Sequence, residues 1–404
     1  MQKFVSDAQA RELLLSVPVS PETETIPLVE SFGRVLAEDI CARLMVPPFL
    51  RSPFDGYAIR GEDTANASKE HPVTLRITEE LPAGKAPEFP VTPGTAAKIL
   101  TGAPIPDGAN ATVKYELTSF TDKEVTISAP VKPGSNLVPA GEDVRIGDLV
   151  AAQGDVITGS VMGELASQGI CEVSVFKTPV IAILNTGSEL VDIGEPLSPA
   201  KIYNSNYYTL SGYLQALGTK PVFGGTVEDE PEAISKRIGE LLENCDMVIT
   251  TGGASVGDYD WAVTASEMMG AEVLFWKTAM KPGGSMLASR KGEKVILGLS
   301  GSPGAAILGL LVVGQPYIRR LCGRSDYELR TLEVAMKEPF TKTSEKSRFI
   351  RGRLVTENGK AYFSQIEGDA NGIISSFART ELIGVIPVEE QPAQAGQIIK
   401  AYVI

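Results

Sequence analysis

Thr250-Thr251-Gly252-Gly253-Ala254-Ser255-Val256-Gly257 follows directly on the apolar run Met247-Val248-Ile249. A run of this kind reads as a buried strand, and a helix is expected beyond the glycines, around Asp260–Met269. A strand that opens into glycines, hydroxyls and backbone N–H groups ahead of a helix is a cradle for an anion. The next expected strand ends at Lys277-Thr278-Ala279-Met280-Lys281-Pro282-Gly283-Gly284, which adds two lysines near a strand end. Ligands of open α/β sheets bind outside the carboxyl ends of strands, where both features would lie. The Gly-Lys-Ser/Thr ending of a P-loop is absent. The plainer alternative is a tight turn with solvated lysines.

Outward from this loop, the pattern alternates. Pro179-Val180-Ile181-Ala182-Ile183-Leu184 reads as a buried strand, and a helix is expected from Ser205 to Leu217, stopped by Gly218. A strand near Val222 leads to a helix opening at Asp229-Glu230-Pro231, where acids and an early proline suit a helix N-terminus. Strands near 273–276, 285–288 and 294–298 and a final helix near 304–321 complete a doubly wound α/β domain over 178–326. The capping box Ser6-Asp7-Ala8-Gln9 and the run from Thr158 to Gly169 predict helices, giving a discontinuous helical domain of residues 1–50 and 141–177. Residues 51–140, rich in Pro, Gly, Thr and Val, read as an inserted β-rich module. Residues 327–404 read as a small all-β domain, with Glu357-Asn358-Gly359 marking a hairpin.

Composition narrows the chemistry. The 404 residues carry a net charge of −13, which argues against nonspecific nucleic-acid binding. A single histidine, His71, beside Pro72, disfavours Ser-His-Asp catalysis and a His-rich metal site. Four cysteines lie far apart without a C-x-x-C pair, and Cys245 is expected to pack at a helix end. The start does not read as a signal peptide and no run is long enough to span a membrane, so a cytoplasmic location is expected. Any metal should therefore be held by carboxylates. Glu189, Asp229 and Asp260 each follow a strand or the glycine loop. With Lys277 and Lys281 they would suit Mg2+-assisted phosphoryl or nucleotidyl chemistry. Taken singly, each acid is more simply a helix cap or a surface charge.

Several motifs in order resemble the MoeA/gephyrin E-domain family of molybdopterin molybdenumtransferases. They are Pro47-Pro48-Phe49-Leu50-Arg51-Ser52-Pro53-Phe54-Asp55-Gly56-Tyr57-Ala58, Thr101-Gly102-Ala103-Pro104-Ile105-Pro106-Asp107-Gly108-Ala109-Asn110 with Glu116 after it, and Thr186-Gly187-Ser188-Glu189-Leu190. Tyr203-Asn204-Ser205-Asn206, the loop at 250–257 and Lys277…Lys281-Pro282-Gly283 follow in the same order. The resemblance implies a homodimer of four-domain subunits. These comprise a helical domain, the inserted β module, a molybdopterin-binding α/β domain and a C-terminal β-barrel. It further implies that adenylylated molybdopterin and molybdate are the substrates, that Mg2+ assists cleavage of the adenylate, and that AMP is released. The metal's sulfur ligands come from the pterin, so few cysteines are needed. Transient contacts with an adenylyltransferase and with acceptor molybdoenzymes are also implied.

By the same resemblance, Asp229 and Asp260 match acids tied to adenylate cleavage and Mg2+, Glu189 matches a further active-site acid, and Asp55 reaches in from a partner subunit. Lys277 and Lys281 match lysines near the oxyanion and phosphate. Thr101, Glu116, Thr251, Gly252, Gly253, Ser255, Gly257, Ser300 and Gly301 are expected to bind substrate, with Arg351 and Ser376 in the molybdate pocket. The chain departs from the family at Leu299-Ser300-Gly301-Ser302-Pro303-Gly304-Ala305, where Leu-Pro-Gly-Asn-Pro-Val-Ser is usual. Ser188 and Asn204 replace aspartates, and Arg379-Thr380-Glu381-Leu382 also differs. These departures keep open a tungstate-specialised paralogue, or one that binds pterin without turnover. The α/β domain alone also resembles molybdopterin adenylyltransferases and a competence-associated family, against which the motifs at 47–58 and 101–110 argue.

Overall fold

The structure, a computed structural model, describes residues 1–253, 261–368 and 370–404. The chain divides into two compact units. One comprises Met1–Glu38, Gln153–Thr158 and Glu172–Ile404, and the other Asp39–Ala152 and Gly159–Cys171.

The first unit is built on a seven-stranded sheet. Its strand order is Gln2–Val5, Glu272–Thr278, Leu287–Lys291, Lys294–Leu299, Met247–Thr251, Val180–Thr186 and Lys220–Val227. The last four run parallel, and the strand Leu287–Lys291 pairs antiparallel with both its neighbours. Alternate residues of the parallel strands enter two separate cores. Ile181, Ile183, Met247, Ile249 and Leu297 pack with Leu210 and Leu214 of the helix Ser205–Ala216. Ala182, Leu184, Val248 and Ile296 pack with Ile234, Ile238 and Leu241 of the helix Pro231–Asn244. A sheet buried on both faces explains why these strands read as unbroken apolar runs. Each fully buried Leu or Ile contributes roughly 1.5–3 kcal/mol.

The edge strand Gln2–Val5 was not expected, because four residues of mixed polarity carry no periodicity; it pairs parallel with Glu272–Thr278. The helical character expected for the N-terminal segments amounts to Asp7–Leu15 and Gly159–Ser167. The rest is largely extended or turn, for example the antiparallel pair Thr23–Pro27 and Glu172–Phe176, because prolines and β-branched residues disfavour helix there. The Ser6 capping box forms as expected, its hydroxyl accepting from the Gln9 N–H.

Toward the C-terminus, Ser347–Glu357, Lys360–Gln365, Thr331–Met336, Ile398–Val403 and Leu382–Ile386 pair in that order, and the last pairs back with the first. They form a closed five-stranded β-barrel. Met280–Lys281 adds in parallel to the start of Ser347–Glu357, tying the segment that follows the large-sheet strand Glu272–Thr278 to the barrel.

The second unit holds a six-stranded sheet in the order Ala111–Lys114, Gly56–Ile59, Thr95–Ile99, Val73–Leu81, Glu124–Ile127 and Thr118–Phe120. Among the described residues no helix is long and apolar enough to cross a membrane.

Candidate active site

The parallel strand Val180–Thr186 comes first among its neighbours in the chain, and its two partners, Lys220–Val227 and Met247–Thr251, lie on opposite sides of it. Chain direction therefore diverges between Val180–Thr186 and Met247–Thr251, and a crevice opens beyond their carboxyl ends. A buried chain of amides fixes this point. Asn204 Nδ2 donates to Asn185 Oδ1 at 3.0 Å, and Asn185 Nδ2 donates to Thr251 Oγ1 at 2.6 Å. Asn204 Oδ1 also accepts from the Tyr207 N–H, capping the helix Ser205–Ala216. Asn204 thus joins a neutral network holding three strand-end segments together.

The crevice is a cavity of about 160 Å³ whose lining includes Thr186, Glu189, Asp229, Thr251, Gly252, Gly253 and Gly301. Glu189 and Asp229, 40 residues apart, share it, and both are exposed to solvent. Gly252 has φ +92°, and a Cβ there would overlap the carbonyl and hydroxyl oxygens of Thr186, so only glycine fits. Thr186 is 5% exposed, and among the described residues its hydroxyl has no hydrogen-bond partner. A buried hydroxyl left unpaired costs about 1–3 kcal/mol, which a ligand oxygen would relieve. Carboxylates plus a hydroxyl are hard oxygen donors and fit Mg2+, which takes one or two carboxylates and completes its shell with phosphate and water. Among the described residues no cluster of three or more potential metal-ligating acids, cysteines or histidines occurs.

On the other side of the Ser300–Pro303 loop lies a larger cavity, about 720 Å³. Lys277, Lys281, Lys346, Ser300, Phe4 and Asn371 are part of its lining. Ser300 faces this cavity and its neighbour Gly301 the acidic one, so a single loop separates the two. Lys277 has φ +66° and its ammonium lies 4.3 Å from the Trp276 ring centroid. Lys346 carries no sequence motif and reaches the cavity only through the barrel strand Ser347–Glu357 that it precedes.

The barrel meets this loop at Gly304. A Cβ there would lie 2.8 Å from the Asn371 carbonyl oxygen and 2.9 Å from that of Ile373. A larger side chain therefore has no room at this position unless the 370–373 backbone shifts. Arg351 is fully buried, stacked 4.5 Å over the Phe377 ring. Its guanidinium donates to Ser376 Oγ at 2.5 Å and to the carbonyls of Ile373 and Ala370. Arg351 and Ser376 bond each other and shape the 370–376 segment, whereas Asn371 from that segment lines the cavity.

In the second unit Asp55 Oδ1 accepts from both the N–H and the hydroxyl of Thr101, each at 2.7 Å. These two bonds hold its carboxyl below the usual carboxylate range. Glu116 is exposed on the short helical turn Tyr115–Leu117. Ser255, Gly257 and Asp260 lie outside the described residues.

Three family signatures match in order: "MoeA N-terminal region (domain I and II)" over residues 5–169, "Probable molybdopterin binding domain" over 182–320, and "MoeA C-terminal region (domain IV)" over 333–404. A Bacillus subtilis protein named molybdopterin molybdenumtransferase is 34% identical over 95% of this chain and 90% of its own. A Staphylococcus aureus protein of the same name is 33% identical over 93% and 90%. The crystal structure of the molybdopterin biosynthesis MoeA protein from Pyrococcus horikoshii superposes with a TM-score of 0.85 at 29% identity, covering 99% of this chain and all of that one.

Proposed function

The chain belongs to the MoeA family, and on that premise we propose that it is a molybdopterin molybdenumtransferase, inserting molybdenum from molybdate into adenylylated molybdopterin with release of AMP. The observation that carries this reading is the division of the site by one loop, with carboxylates and a glycine cradle on one side and lysines on the other. Adenylate cleavage needs negative charge to be neutralised at a phosphoanhydride, and molybdate needs a cationic pocket.

The adenylate phosphates lie against Gly252 and Gly253, where the backbone comes close and Thr186 donates its hydroxyl. Glu189 and Asp229, with Asp260 added only by resemblance, would hold Mg2+, whose charge would weaken the phosphoanhydride bond. Lys277 and Lys281 bind the doubly charged oxyanion through charge-assisted hydrogen bonds beside Ser300. The glycine cradle and the lysines thus bring dithiolene and metal together across a single loop. Asp55, oriented by Thr101, enters the reaction by resemblance, as do Glu116 and the homodimer. Arg351 and Ser376 act indirectly, by shaping the segment that presents Asn371.

The test mixes the purified protein with adenylylated molybdopterin, Mg2+ and molybdate, and follows AMP and pterin-bound molybdenum. The reading requires AMP release that depends on both the oxyanion and Mg2+. Pterin binding without AMP release, under either molybdate or tungstate, would instead support a non-catalytic paralogue.

A further inference from the structure

Lys346 immediately precedes the barrel strand Ser347–Glu357, whose first residues pair in parallel with Met280–Lys281. That pairing sets Lys346 beside the segment that follows the large-sheet strand Glu272–Thr278, although 65 positions separate it from Lys281. Its ammonium donates to the Thr278 carbonyl at 3.3 Å, a long bond that leaves further N–H groups for another acceptor. The Phe4 ring centroid lies 5.5 Å from the same nitrogen. Among the described residues Lys346 makes no ion pair. Glu345 lines the cavity too and is exposed to solvent.

We propose that Lys346 is a third anion-binding residue of this cavity, completing with Lys277 and Lys281 a cradle for a doubly charged tetrahedral oxyanion. The proposal rests on reading the cavity as the oxyanion pocket and names a residue that reading does not need. Burial pushes the Lys346 ammonium below the ordinary lysine range, and the charges of Lys277 and Lys281 push it the same way. Three ammonium groups around one cavity repel one another until an anion sits between them. A dianion relieves that repulsion more than a monoanion of equal shape does. Phe4 backs the ammonium with an aromatic face and so favours keeping it charged within the cavity.

The test is calorimetric binding of molybdate, and of perchlorate as the singly charged tetrahedral control, to the full-length protein. Wild type is compared with Lys346→Gln, Lys346→Arg and Lys281→Gln, with thermal midpoints to verify folding. Loss of one charge-assisted contact should weaken molybdate binding on the order of 10- to 100-fold in Lys346→Gln. Perchlorate binding should change less, and Lys346→Arg should restore most of the molybdate affinity. Wild-type affinity in Lys346→Gln, alongside a loss in Lys281→Gln, would overturn the role of Lys346 and leave the oxyanion pocket standing. Absence of molybdate binding by the wild type would overturn both.

Discussion

Phe4 and Lys277 lie opposite each other on adjacent parallel strands, between the register pairs Lys3–Trp276 and Val5–Thr278, and both hold a left-handed backbone, at φ +56° and +66°. Non-glycine residues in this region are uncommon and cost roughly 1–2 kcal/mol each. Such strain persists where the surrounding structure enforces it, and it concentrates at functional sites. Here the two residues also line one cavity.

The strain at Lys277 predicts a difference between two deletions of the same side chain. Lys277→Gly removes the left-handed penalty, whereas Lys277→Ala keeps it. The glycine variant should be about 1 kcal/mol more stable than the alanine variant by chemical denaturation. Both should lose oxyanion-dependent AMP release. Equal stability of the two variants would mean that Lys277 is not strained.

Gly304 is matched to the barrel segment above it. In Gly304→Val the added Cβ would sit within 2.9 Å of two carbonyl oxygens. The helix start and the 370–376 segment must then separate, at a cost of about 1–3 kcal/mol. The thermal midpoint should fall and molybdate affinity should fall with it. An unchanged midpoint would show that the segment yields freely.

The helix Asp7–Leu15 is tied to the barrel through Tyr402, whose hydroxyl donates to Asp7 Oδ2 at 2.6 Å and accepts from Arg11 Nη2 at 2.9 Å. Burial, reinforced by the Asp7 charge, pushes the Tyr402 hydroxyl up to about 12 from 10.0. A raised folded-state value means that the neutral phenol stabilises the fold. That contribution is complete below about pH 10 and lost as pH rises toward 12. Wild type should therefore lose more thermal stability than Tyr402→Phe between these two pH values. Parallel curves would exclude the linkage.

Features written in short stretches of chain were legible before the structure. Asn358 and Gly359 both take positive φ at the tip of the hairpin their sequence announces. Pro231 opens its helix, and Cys245 caps the other end. The run expected as one helix near 304–321 is helical throughout but carries a π-helical turn at Leu310–Gly314, which apolar periodicity does not reveal. Sheet membership was harder to read: Gln2–Val5 becomes an edge strand only because Glu272–Thr278 offers it a partner. Glu189 and Asp229 could be nominated singly, since strand ends are local signals. Lys346 could not, because only barrel closure and the short Met280–Lys281 pairing bring it there.

Acid and base divide the labour across the 300–303 loop, and measuring two variants side by side separates their roles. Molybdate affinity and AMP release would be measured on Asp229→Asn and Lys281→Ala in parallel with wild type. Asp229→Asn should retain molybdate affinity within about threefold while AMP release falls on the order of 100-fold. Lys281→Ala should lose molybdate affinity by about tenfold or more. Equal loss of oxyanion affinity in the two variants, or full AMP release by Asp229→Asn, would mean that the loop does not separate the two roles.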